Sequence, residues 1–148
     1  QALVDGGGGG YARRTALGFD SGRLAMLLAV LHRHGGVSLH DMDVYVNVVG
    51  GLKISEPAAD LAVLAAAHSS LRGVAIPRDV VVMGEVGLAG ELRPVANGEA
   101  RLKAAQQHGF KQAILPEGNR PRGSATMRGL KIHAVATLAA ALDVLTSL

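Results

Sequence analysis

The sequence predicts an α/β domain, and three observations carry that prediction. Segments with the two-residue period of strands alternate with segments of helical period from residue 13 onward. Apolar residues make up 49% of the chain and charged residues 18%, far from the composition of a disordered polymer. The 148 residues suffice to bury about 70% of the unfolded surface, which favours one core over two. Aromatics are only 3%, so that core has to be built from Ala, Val, Leu and Ile packed around Gly.

Each element has its own local signal. Glycines 6–10 form an uninterrupted run with no side chain to pack, which reads as a flexible linker dividing residues 1–10 from a domain over 11–148. In 13–19, Thr15, Leu17 and Phe19 alternate as in a strand, and Asp20 is placed to cap the next element. Leu24, Leu27, Leu28 and Leu31 then repeat at helical spacing, predicting an amphipathic helix over 23–31 that ends near Gly35 and Gly36. DVYVNVV at 43–49 is a strand by propensity and period, turned by Gly50 and Gly51. Pro57 suits a first helical turn around Ser55 and Glu56, and the Ala-rich body 58–71 is apolar nearly all round, as in a helix buried against a sheet. A buried strand is expected at 80–83 with 91–95 as its partner, the turn between them punctuated by Gly84, Gly87 and Gly90. Asn97 is the expected cap of a helix over 99–108 that Gly109 ends. A strand over 111–115 is stopped by Pro116, and a last helix covers 136–145.

Several chemistries are excluded at once. The chain has no Cys, so disulfides, thiolate zinc sites, iron–sulfur ligation and a cysteine nucleophile are absent, and the cytoplasm is the natural compartment. The longest strongly apolar stretch, 58–67, is interrupted by Asp60 and too short to span a bilayer, so no membrane partner is expected. A phosphate-cradling loop needs Lys-Ser/Thr after its glycines, whereas Tyr11-Ala12-Arg13-Arg14 follows the glycine run. No ATP site is expected here. His32 and His34 point to different sides of a helix, and Asp41 and Asp43 read as a solvated turn, so no metal site is expected. The nearest Ser–Lys pair, Lys53 and Ser55, has no orienting base, and no G-x-S-x-G occurs.

Three longer stretches carry a resemblance: VNVVGGLKISEPAADLAVLAAAHSS, MGEVGLAGELRPV and RLKAAQQHGFKQAILPE. Together with QALV and ARRTALGFDSGRLAMLLAVLHRHGG, they resemble the C-terminal Lon-protease-like domain of the bacterial RadA (Sms) family of DNA repair ATPases, over nearly the whole chain apart from the glycine run. The resemblance implies a Lon-like fold of the ribosomal-protein-S5-domain-2 type. Active relatives of that fold use a Ser–Lys dyad, with the serine at the position matching Ala58 and the lysine at the position matching Glu99. Neither residue can act: alanine has no nucleophile, and a carboxylate at a helix start is stabilised as the anion. A domain without its own enzymatic activity is therefore expected. The resemblance further implies a hexameric ring and a platform for double-stranded DNA or branched recombination intermediates. The motor driving branch migration would lie upstream, with ATP and magnesium in a RecA-like domain and zinc in a finger, and a RecA-type recombinase is allowed as a partner.

Net charge is +3, unevenly spread: residues 1–99 hold eight Lys/Arg against ten Asp/Glu, and residues 100–148 seven against two. Lys111, Arg120, Arg122, Arg128 and Lys131, opposed only by Glu117, are the expected phosphate contacts, with Arg13, Arg14 and Arg23 as the alternative face. The scarcity of aromatics favours duplex backbone over stacking on single strands. Competing readings are a solvated basic loop or subunit contact, a residual peptidase or peptide-binding module, and oligomerisation without a ligand.

Overall fold

The computed structural model describes residues 1–6, 11–121 and 127–148. Eight strands and four α-helices are assigned among them: β1 (Ala2–Gly6), β2 (Arg14–Leu17), α1 (Ser21–Gly35), β3 (Met42–Asn47), α2 (Asp60–Arg72), β4 (Val80–Val82), β5 (Glu85–Val86), β6 (Leu92–Arg93), α3 (Gly98–Gln107), β7 (Gln112–Pro116), β8 (Lys131–Val135) and α4 (Leu138–Thr146). The chain is the expected α/β arrangement, with three separate sheets among the described residues.

The first sheet has the order β1-β3-β2, with β1 antiparallel and β2 parallel to β3. Residues 2–6, which include Gly6 of the expected linker, form an edge strand of this sheet, and the Val4 amide donates to Ser70 Oγ of α2 at 2.9 Å. The alternation of Ala2 and Val4, which pack on the core, with exposed Leu3 and Asp5 is what makes the segment a strand. Glycines 7–10 lie outside the described residues. The second sheet, β4-β7-β8, is wholly parallel, so the amino ends of its three strands share one edge. β5 and β6 form a separate antiparallel hairpin.

Two strand expectations need correction. The 91–95 segment does not pair with 80–83: β6 pairs with β5, and β4 takes β7 as its neighbour. The chain leaves the parallel sheet after Val82, and Gly84 packs so closely that a Cβ there would sit 3.2 Å from the Pro116 side chain and 3.4 Å from Leu61. β8, which begins at Lys131, the last residue of the basic 111–131 segment, is a strand not expected from the sequence; Ile132 and Ala134 pack against buried residues while Lys131 is exposed.

Two buried clusters sit on opposite faces of the parallel sheet. The larger joins Leu24, Leu27, Leu28 and Leu31 of α1, Val44 and Val46 of β3, Leu61 and Leu64 of α2, Ile114, and Leu138 and Leu142 of α4. The smaller lies between the other sheet face and α3, with Ala58, Met83, Leu102, Ala105, Ala113 and Leu115. Capping follows the local chemistry at α1, where Asp20 accepts the Arg23 amide at 2.7 Å and Gly36 closes the helix at φ 66°. At α3 it does not: Asn97 occupies the cap position at φ 58°, and its side chain makes no cap hydrogen bond. No described helix is long and apolar enough to cross a membrane.

Candidate nucleic-acid interface

The segment around Ala58 is a single 3-10 turn, Pro57–Ala59, leading into α2. Ala58 is buried in the smaller cluster, and its carbonyl accepts the Gly84 amide at 2.9 Å. The Leu61 amide donates to the Gly84 carbonyl at 3.0 Å and the Ala59 amide to the Glu56 carbonyl at 3.1 Å. The Ala59 and Leu61 amides are thus spent inside the chain. Glu99 lies in the first turn of α3 and is exposed. The two elements do meet, since Arg101 of α3 pairs with Glu56 at 3.3 Å. What they bring to that junction is a buried methyl group and a solvated carboxylate, a set without the serine hydroxyl or the lysine amine of a Ser–Lys dyad. Lys53 and Ser55 are both exposed.

Of the three N-terminal arginines expected as the alternative DNA face, Arg14 and Arg23 are engaged within the chain. Arg23 Nε donates to Asp60 Oδ1 at 2.6 Å and Nη2 to Oδ2, and Asp60 is 0% exposed. The hydrogen bond to Asp60 raises the Arg23 pKa further above its ordinary value. Asp60 also accepts the Val86 amide at 3.2 Å, so one carboxylate ties α1 and α2 to the β5–β6 hairpin. The Arg14 guanidinium is spent on the carbonyls of Leu39 at 2.8 Å, Arg13 at 3.0 Å and Met42. Arg13 is exposed, and its backbone amide donates to Asp43 Oδ1 at 2.7 Å.

The parallel register splits the C-terminal basic set in two. Lys111 immediately precedes β7 and Lys131 opens β8, so both stand at the amino edge of the sheet, exposed. Arg128 joins them from the tight turn 127–130, closed by the Leu130 amide on the Met127 carbonyl at 3.0 Å with Gly129 at φ 81°. Arg120 lies beyond the opposite, carboxyl end of β7, held by Glu117 through Nε to Oε1 at 2.6 Å and Nη2 to Oε2 at 2.8 Å. The hydrogen bond from Arg120 keeps the Glu117 carboxyl below its usual range. Arg122 lies outside the described residues.

Arg78, which charge counting along the chain overlooked, belongs to the same amino edge. It is exposed in a turn closed by the Val80 amide on the Pro77 carbonyl at 3.1 Å, directly before β4. The Pro77-Arg78-Asp79 turn ahead of a strand was the available signal. Among the described residues, Arg78, Lys111, Arg128 and Lys131 enter no side-chain ion pair. No group of three or more metal-ligating side chains occurs among the described residues, and His40 pairs with Asp41 alone at 2.8 Å.

The family model described as "Subunit ChlI of Mg-chelatase" matches residues 23–119. A DNA repair protein RadA of Pseudomonas aeruginosa is 56% identical over 145 residues, which is 98% of this chain and 32% of that relative. RadA of Haemophilus influenzae and of Escherichia coli are each 52% identical over all 148 residues, again 32% of the relatives. The chain therefore spans about a third of the length of these curated relatives. Homologous over its whole length to DNA repair proteins named RadA, it belongs to the family described as subunit ChlI of Mg-chelatase.

Proposed function

We propose that this chain is a proteolytically inactive, Lon-like domain of the ribosomal-protein-S5-domain-2 type, serving a RadA-type DNA repair ATPase as a duplex-binding platform and oligomerisation scaffold. The observation that carries the reading is the amino edge of the parallel sheet, where Lys111, Arg128 and Lys131 stand exposed and uncommitted among the described residues. Cations presented from a rigid edge, without aromatics to stack bases, suit sequence-independent phosphate contact. The homologues named as DNA repair proteins supply the anion. ATP, magnesium and zinc belong to other parts of such a parent, whereas assembly into a ring of six copies, branched DNA substrates, a RecA-type recombinase partner and a cytoplasmic location go with the reading of this domain. The residual peptidase reading has no observation in its favour, given a buried methyl at position 58 and a solvated carboxylate at position 99.

The test is fluorescence anisotropy of a labelled DNA duplex with the wild-type chain and with a Lys111→Ala/Arg128→Ala/Lys131→Ala variant, across a salt series. The reading expects weaker binding on any sequence and a salt slope smaller by about three units, one per phosphate contact. Unchanged affinity and slope in a folded variant would overturn it.

A further inference from the structure

The turn that presents Arg128 has a counterpart on the other flank of the same sheet. Arg78 and Arg128 each hold the second position of a tight turn that feeds directly into a strand, β4 for Arg78 and β8 for Arg128. β4 and β8 are the two outer strands, and Lys111 opens the central one. A relay of backbone hydrogen bonds locks the three strand entrances together. The Lys111 and Gln112 amides donate to the Asp79 carbonyl at 2.8 and 3.1 Å, and the Lys131 amide donates to the Lys111 carbonyl at 2.8 Å. The Arg128 carbonyl is held in turn by Gln106 Nε2 at 2.6 Å.

We infer that Arg78 is a fourth phosphate contact, and that the duplex backbone runs across the three strand entrances, from Arg78 past Lys111 to Lys131 and Arg128. Neighbouring strands lie about 4.8 Å apart, so the entrances span about 10 Å. That span is wider than a single phosphate group, which suits a continuous phosphodiester backbone better than an isolated phosphate. Asp79 is the one carboxylate among residues 77–80, 109–112 and 127–131, so the edge is strongly cationic. Arg78 also extends the basic set to β4, a strand outside the basic C-terminal third.

This inference rests on the duplex-binding reading above, and the experiment separates the two. Arg78→Ala, Arg78→Lys and a Lys111→Ala/Lys131→Ala variant are titrated on two duplexes of unrelated sequence between 50 and 200 mM salt, with circular dichroism and urea midpoints as the control on folding. Arg78→Ala is expected to weaken binding equally on both duplexes and to lower the salt slope by about one unit, so that the affinity ratio between the two salt concentrations shrinks about 3.5-fold. Arg78→Lys, which keeps the charge, is expected to retain most of the slope. If Arg78→Ala binds as wild type while the lysine variant is weakened, Arg78 is no contact and the inference falls with the wider reading intact. If neither variant changes affinity or slope, both fall.

Discussion

The two ends of the parallel sheet carry the same residue types and use them in opposite ways. At the carboxyl end Arg93 is committed to Glu91 at 2.7 Å and to Glu85 at 4.0 Å, Arg101 to Glu56, and Arg120 to Glu117. At the amino end, Arg78, Lys111, Arg128 and Lys131 face solvent without a carboxylate partner among the described residues. The carboxyl end also carries the hairpin, the Ala58 turn and the start of α3, whose loops those ion pairs and hydrogen bonds staple together. Charge is used for architecture at one end and left available at the other. Counting cations along the chain cannot separate these uses, because the partner that neutralises an arginine is a matter of register and topology.

Substitutions at the two ends should therefore separate stability from binding. The largest effect is expected from Arg23→Ala, which strands the fully buried Asp60 carboxylate beneath the hairpin. Loss of about 3–5 kcal/mol is expected, read as a lower urea midpoint at unchanged slope. A loss below about 1 kcal/mol would show that the carboxyl end does not depend on that pair.

Next is Asn119→Ala. The Asn119 amide clasps Val95 from both sides, accepting its N–H at 2.7 Å and donating to its carbonyl at 2.9 Å. Removing the clasp should cost about 1–3 kcal/mol and leave duplex affinity unchanged. A weakened salt slope in this variant would mean that the two ends are coupled.

A smaller effect is expected from acid. His68 Nδ1 is buried with no partner among the described residues, and burial, then the charge of Arg72, holds its pKa below 6.5. His133 is lowered by burial and then by Lys131. Both take a proton more readily when the chain unfolds. Stability should be full above the ordinary histidine pKa and fall as pH drops below it. Urea midpoints measured at several pH values check this, and His68→Leu should flatten the fall; an unaltered profile would clear His68 of the effect.

The smallest change is expected from restoring a nucleophile. Ala58→Ser should give no turnover of casein or a fluorogenic peptide, since position 58 is 5% exposed and position 99 still lacks the lysine amine of the dyad. Turnover above the wild-type chain would reinstate the peptidase reading.

How far the sequence could be read depended on whether the deciding interaction was local. Helix α1 was readable in full, because its leucine spacing, Asp20 cap and Gly36 terminus are neighbours along the chain. Strand β3 and the turn at Pro57 were readable for the same reason. β1 was missed because a glycine run comes directly after it and its partner lies some forty residues away in β3. β8 was missed because Lys131 and His133 obscure the alternation of Ile132 and Ala134. At the candidate site, Lys111, Arg128 and Lys131 could be nominated from charge alone. That Arg23, Arg14 and Arg120 are engaged within the chain could be seen only from what their guanidinium groups touch. Adding Arg78 required the parallel register that brings the start of β4 beside the start of β7.

The division of labour between the two ends is tested most directly by charge reversal at each. Lys111→Glu/Lys131→Glu at the amino edge and Arg120→Glu at the carboxyl end are compared for duplex affinity and salt slope, with urea midpoints as control. The amino-edge variant should lose the salt slope of both contacts, about two units, and bind at least tenfold more weakly at 50 mM salt. The Arg120→Glu variant should bind as the wild type does. Equal weakening by the two variants, or weakening by Arg120→Glu alone, would contradict the assignment of DNA contact to the amino edge.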